Sequence, residues 1–219
     1  MKKILSFWFL FAVLFFGIVA GSYAIGLRNE AVVIAILLIL YVLFQIFAVR
    51  QAYRYGRDWI IAGIVLQAIL AMCSPLYYSN FGDPVYEYIT GTWFDTSDAF
   101  FPCQLCWWAR IMMFPLVPLS LIALWTKSRD ILKYIYIITF PGMALEAFHY
   151  ILQKPWIVGQ LSIENPFGCT DQIPCAAVHV DYFGVLTIPF LCLLAFLVIN
   201  ILTMLALFSK KIEKATKAI

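Results

Sequence analysis

Six long apolar runs follow one another along this chain: Ile4 to Gly26, Ala31 to Val49, Trp59 to Tyr78, Leu105 to Trp125, Ile131 to Gln153 and Tyr182 to Phe208. Each is close to or above the about 20 residues that a helix needs to cross the hydrocarbon core. Of the 219 residues, 64% are hydrophobic and only 12% charged, whereas soluble domains carry about a quarter charged. In lipid every backbone group must be bonded within its own segment, so the runs predict an all-α polytopic membrane protein. The formal charge of +3 is spread over short loop clusters, which excludes a nucleic-acid-binding stripe.

Basic residues in short loops stay on the cytoplasmic side. Here Lys2 and Lys3, then Arg50, Arg54 and Arg57, then Lys127, Arg129 and Lys133, then Lys210, Lys211, Lys214 and Lys217 all fall on one side. The opposite side carries Arg28 and Lys154 among Asp83, Glu87, Asp95, Asp98, Glu164, Asp171 and Asp181. This asymmetry predicts cytoplasmic termini and an outward face made of residues 79–102 and 154–181. The start, with its lysine pair and Ser22-Tyr23-Ala24, also fits a cleaved signal over 1–24; the length of its apolar run favours a retained helix. The first two runs lack cysteine and core charge, which divides the chain into an extension, 1–58, and a four-helix unit, 59–219, hinged at Arg50 to Asp58.

Four of the six cysteines lie on the predicted outer side. Cys103 and Cys106 form a Cys-x-x-Cys at the start of the fourth span, and Cys169 and Cys175 lie in the second outer segment. Thiols outside the cytoplasm become disulfides, so a static staple is one reading. A Cys-x-x-Cys at a helix start is suited instead to exchange, because unpaired amides and the helix dipole favour the thiolate. A zinc site of four thiolates is a third reading, against which the five residues between Cys169 and Cys175 exceed the usual ligand spacing. Cys73 and Cys192, inside spans, are expected to act as small apolar residues.

Arg110 follows Cys106 by four residues, on the same helix face and about 6 Å deeper. The fifth span brings Glu146 and His149, three apart on one face, to a comparable depth. Ionisable groups inside a span are functional candidates by default; the competing readings are a snorkelling Arg110, a Glu146 that neutralises it, and a His149 that packs. Oxidising a dithiol releases two electrons and two protons, which no side chain here can store, so a cofactor must accept them. A lipid-soluble quinone fits, with Arg110 hydrogen-bonding its oxygen as charge develops and His149 supplying protons near neutral pH. No nucleotide, flavin or haem fingerprint is present, and no resident metal is expected.

The runs "PCQLCWWAR", "EAFHYILQ" and "DYFGVLTIPFL" together with the second cysteine pair resemble the disulfide bond formation protein B family and its Gram-positive BdbC-type relatives, over roughly Trp59 to Phe208. The resemblance implies a four-helix redox bundle, here with two extra N-terminal transmembrane helices, in a prokaryotic cytoplasmic (inner) membrane. It implies a bound quinone, ubiquinone or menaquinone, and a DsbA-like thioredoxin-fold partner outside the cytoplasm. It implies roles as well: Cys169 attacked by the reduced partner, Cys175 exchanging with Cys103, Cys106 passing electrons to quinone, Arg110 holding it. Glu146 and His149 match the family's neighbourhood only loosely, and the extension and the short Cys169–Cys175 spacing depart from it. The competing functions are a vitamin K epoxide reductase-like protein, whose Cys-x-x-Cys is expected later in the bundle, and a disulfide-stapled membrane scaffold without catalysis.

Overall fold

The computed structural model describes residues 30–92, 96, 99–154, 169 and 175–217, with residues 13, 17 and 18. Their order is α1 (Glu30–Tyr55), α2 (Asp58–Asn80), α3 (Pro84–Thr90), α4 (Gln104–Met113), α5 (Leu116–Thr126), α6 (Arg129–Leu152), β1 (Asp181–Tyr182), β2 (Leu186–Thr187), α7 (Ile188–Phe208) and α8 (Lys210–Lys217). Five stretches are long and apolar enough to cross a membrane: Ile34–Tyr55, Asp58–Asn80, Gln104–Thr126, Arg129–Leu152 and Ile188–Phe208. The chain is an all-α polytopic membrane protein. The first predicted span, Ile4 to Gly26, lies outside the described residues except for Val13, Gly17 and Ile18, which are helical.

Two boundaries differ from expectation. The second span does not end at Val49 but runs to Tyr55, through Arg50 and Arg54. Basic side chains in a last turn suit the negative helix end and extend to the interface. The expected hinge over Arg50 to Asp58 therefore shrinks to Gly56 and Arg57. Gly56 has φ +90°, and a Cβ there would lie 2.9 Å from the Thr216 backbone, so glycine both stops α1 and lets α8 come close. Thr216 then accepts a 2.9 Å hydrogen bond from the Arg57 amide. The last helix begins at Ile188 rather than Tyr182. Phe183 and Gly184 both have positive φ, which turns the chain into the hairpin β1–β2, and Pro189 then opens the helix, a position where its missing N–H costs nothing.

The four-helix core is α2, α4 with α5, α6 and α7. Helix α7 packs along α6 and α2, and α5 closes against α2 and α6. The core is apolar from Ile60 and Ile64 through Met113, Leu116 and Ile135 to Phe196 and Ile199. Gly142 sets the α6–α7 approach, because a Cβ there would lie 2.7 Å from the Phe196 ring. Close helix approach at small residues is how membrane bundles gain van der Waals contact. Asn200 donates to Thr139 across the same interface at 3.2 Å. Pro115 separates α4 from α5, since a proline has no amide for the ladder. Helix α1 joins this core only at its C-terminal end, where Ala52 is buried with Val49 and Tyr53 against it, and it is tied to α2 by Gln45 donating to Gln67 at 3.3 Å.

At the cysteine end the first loop is more ordered than an interfacial coil. Asp83 caps α3 by accepting from the Val85 and Tyr86 amides, and it also accepts from the Tyr182 hydroxyl, joining the first loop to the hairpin. Val85, Tyr78, Val180 and Tyr182 form a small apolar cluster beneath that contact. Cys192 is buried as expected, whereas Cys73 is exposed on the bundle surface, because it lies on the face of α2 turned away from the core.

Candidate functional site

Cys103 is the N-cap of α4, with extended φ and ψ. Its sulfur accepts from the Cys106 amide at 3.3 Å, one of the orphan donors that every helix start leaves. The Cys-Gln-Leu-Cys spacing brings the second sulfur back over the first turn, and the two lie 2.7 Å apart. Neither is bonded here, and a small movement reaches the bonded length of about 2.0 Å. Cys103 is buried at the helix foot, and Cys106 is partly open.

His149 reaches this pair from α6. Its Nε2 lies 3.6 Å from Cys103 Sγ, and its Nδ1 lies 3.6 Å from Glu146 Oε2. His149 and Glu146 are 2% and 1% exposed. Nucleophile, imidazole and carboxylate are thus aligned in series, the arrangement by which an acid orients a histidine and the histidine controls a thiol. The Cys103 thiol is held below the ordinary thiol range, first by its hydrogen bond with Cys106 and then by His149, against the opposing effect of burial. A neutral thiol is a poor nucleophile, so this shift favours exchange.

Arg110 is brought to the expected face but not to the sulfurs. Its Nη2 donates to the Pro75 carbonyl at 2.9 Å, its guanidinium lies 5.2 Å from the Trp107 ring centre, and the side chain is buried. No ion pair joins Arg110 to Glu146 among the described residues; the carboxylate faces His149 instead. Arg110 does not snorkel, because α2 supplies an acceptor inside the bundle.

The two cysteine pairs meet in one apolar cluster. Cys103, Leu105, Leu152 and Cys175 are its buried members, with Cys106 and Cys169 against it. Cys169 and Cys175 form a disulfide, Cα to Cα 5.7 Å. That bond removes two sulfurs from a four-thiolate zinc site. Gln153 holds the returning segment by donating to the Ala177 carbonyl at 2.9 Å. A cavity of about 30 Å³ between these elements is lined by Cys103, Cys106, His149, Gln153 and His179, among others. Sequence reasoning passed over Gln153 and His179. The available signal was that the chain has only two histidines, and both line this cavity.

The small cavity has room for a water or two and not for a quinone ring. Beside Pro75 a larger cavity of about 200 Å³ is lined by Ser74, Met113 and Cys192. Arg110 Nε and Glu146 Oε1 are buried with no hydrogen-bond partner among the described residues. Buried orphan polar atoms call for an explanation; a ligand oxygen fits the Arg110 donor, and a ligand hydroxyl fits the Glu146 acceptor.

Helices around a buried Cys-x-x-Cys and a disulfide-bonded loop define a membrane thiol–disulfide protein. The chain belongs to the DsbB family: the family model described as disulfide bond formation protein DsbB matches residues 85–206, and membership carries a role in disulfide bond formation. It is 32% identical to disulfide bond formation protein C of Bacillus subtilis over 152 residues, 69% of this chain and 90% of that one. A probable disulfide formation protein of Oceanobacillus iheyensis is 32% identical over 146 residues, covering 66% and 86%. The SPbeta prophage-derived disulfide bond formation protein B of Bacillus subtilis is 30% identical over 116 residues, covering 52% and 74%. No solved structure matches the chain.

Proposed function

We propose that this protein is a dithiol:quinone oxidoreductase that re-oxidises a DsbA-like thioredoxin-fold partner. The observation that carries the reading is the gathering of both cysteine pairs into one apolar cluster with His149 against Cys103. A staple would need neither the open Cys103–Cys106 pair nor the imidazole. A thiolate of the partner attacks Cys169, and the Cys175 thiolate leaves. Cys175 then attacks Cys103 of an oxidised Cys103–Cys106 pair, and Cys106 leaves as a thiolate; the partner's second thiol displaces Cys169 and completes its own disulfide, and Cys169 attacks Cys175, which restores the loop disulfide and releases Cys103 as a thiolate. Each step breaks one S–S bond and makes one. His149, oriented by Glu146, keeps Cys103 ready as a thiolate and handles its proton.

The quinone, ubiquinone or menaquinone, supplies the two-electron, two-proton sink that regenerates the Cys103–Cys106 disulfide. Arg110 Nε–H has a free donor for a quinone oxygen, and Glu146 Oε1 a free acceptor for the hydroxyl of the quinol. Burial makes such groups effective, because a fixed donor in a dry site costs no reorganisation. The family supports the prokaryotic cytoplasmic membrane, and the alternation of basic and acidic loops supports a cysteine end outside and both termini inside. The absence of cysteine and of core charge from the first two apolar runs supports the division at 1–58 and 59–219.

The test is anaerobic: purified protein, reduced thioredoxin-fold dithiol partner and a soluble quinone analogue, with quinone absorbance followed in wild type and Cys106→Ser. Absorbance loss that requires Cys106 is the expected result. No loss with intact thiols and a competent partner would return the reading to a stapled scaffold.

A further inference from the structure

We propose that the reduced Cys103–Cys106 pair and His149 form a binding site for a thiophilic divalent cation of the zinc type, so that one set of sulfurs serves either a disulfide or a metal. The three ligand atoms lie within 4.8 Å of one another. Zn–S bonds of about 2.3 Å and Zn–N bonds of about 2.0–2.1 Å at tetrahedral angles put the S···N edge near 3.6 Å and the S···S edge near 3.8 Å. The Cys103 Sγ to His149 Nε2 separation is 3.6 Å, so this edge is already in place. The sulfurs, at 2.7 Å, must part by about 1 Å, which rotation of the partly open Cys106 side chain provides.

A second, independent feature is the support behind the histidine. Metal-bound histidines commonly donate their other ring N–H to a carboxylate, which fixes the ring and raises its basicity. Here Glu146 Oε2 stands 3.6 Å from Nδ1, on the side away from the sulfurs. The cavity of about 30 Å³ against the same three residues supplies the fourth position, with room for a bound water. Such a site has three protein ligands and one open position. Loading replaces the two thiol protons by the cation and leaves the sulfur oxidation state unchanged. A loaded pair cannot exchange with Cys175, and an oxidised pair cannot load.

The test uses the full-length protein with Cys169→Ser and Cys175→Ser, reduced anaerobically, so that the loop sulfurs cannot contribute. Zn²⁺ is added, and bound metal and free thiols are counted after excess ion is removed; Co²⁺ is the spectroscopic probe. The expected result is one ion per chain, protection of both Cys103 and Cys106 from alkylation, and a thiolate-to-cobalt charge-transfer band. Glu146→Gln should weaken the affinity by about 10- to 100-fold. His149→Ala should abolish the tetrahedral cobalt spectrum, and His149→Cys, which keeps a ligand, should restore it. Metal that stays after Cys103→Ser with Cys106→Ser, an affinity indifferent to His149, or thiols that remain alkylatable with zinc present would each overturn the site. Loading requires no quinone and no partner, so failure of quinone reduction would leave this outcome unaffected.

Discussion

The two cysteine pairs differ in what holds them. Cys103 and Cys106 are fixed by a helix start, with a capped amide, a buried imidazole and a carboxylate behind it. Cys169 and Cys175 are held by their own bond and by the burial of Cys175 against Leu105 and Leu152. The first pair is a product of bundle packing and the second of local chain closure. The difference suits a relay, whose entry must be reachable by a protein while its exit must be dry enough for charge to be controlled.

The largest expected effect separates the pairs outright. Cys106→Ser should abolish quinone reduction whatever the reductant, whereas Cys169→Ser with Cys175→Ser should abolish it only with the protein partner and retain it when a small dithiol reduces the Cys103–Cys106 pair. Absorbance assays with both reductants distinguish the two; retention by Cys106→Ser would erase the assigned order.

The next effect tests His149. His149→Ala should slow turnover about 100-fold, the low end of general acid–base contributions. The Cys103 thiolate pKa lies below its ordinary value, so its thiolate persists as pH falls beneath the usual thiol range. Removing His149 takes away one of the groups that lower it, and the midpoint should move upward. Alkylation of reduced protein at a series of pH values, with Cys103 identified by mass, measures that midpoint. The Cys169 and Cys175 thiols of reduced protein should not respond.

Arg110→Ala should raise the KM for quinone about tenfold, as expected for losing a hydrogen bond from a charged donor, and leave partner exchange intact. Stopped-flow mixing with quinone and, separately, with reduced partner reads the two steps; an unchanged quinone step would remove Arg110 from acceptor binding. The smallest effect tests packing alone. Gly142→Ala puts a methyl against the buried Phe196 ring and should cost about 1–3 kcal/mol, visible as a lowered thermal midpoint in detergent. Because Glu146 lies one turn further along the same helix, the His149–Cys103 contact should loosen with it, while the Cys169–Cys175 bond should form as before.

Much of the fold was legible because hydropathy and capping are local. Three of the five described spans fall within two residues of the expected runs, and the Cys-x-x-Cys sits at a helix start as its spacing requires. The misplaced boundaries come from short-range chemistry that hydropathy averages away: Arg54 accepted in the last turn of α1, and consecutive positive-φ residues at Phe183 and Gly184 before α7. The site was half legible. Glu146 and His149 were marked by their depth, but their partners were not, and His179 gave no pattern of its own.

Hydropathy and spacing are enough to require that the chain crosses a membrane repeatedly, that two cysteines start a helix, and that Arg110, Glu146 and His149 fall inside apolar runs where charge is costly. Those properties depend on composition and spacing along one helix at a time. Helix packing adds that His149 faces Cys103, that Glu146 stands behind His149 and not beside Arg110, that Arg110 turns to the Pro75 carbonyl, and that Cys175 joins the Cys103 cluster. These follow from the rotation and approach of neighbouring helices, which the Gly142–Phe196 contact and the prolines in α2 and α6 help to set. A facing relation of that kind has no periodicity in the chain, because it is fixed by how two side-chain surfaces pack.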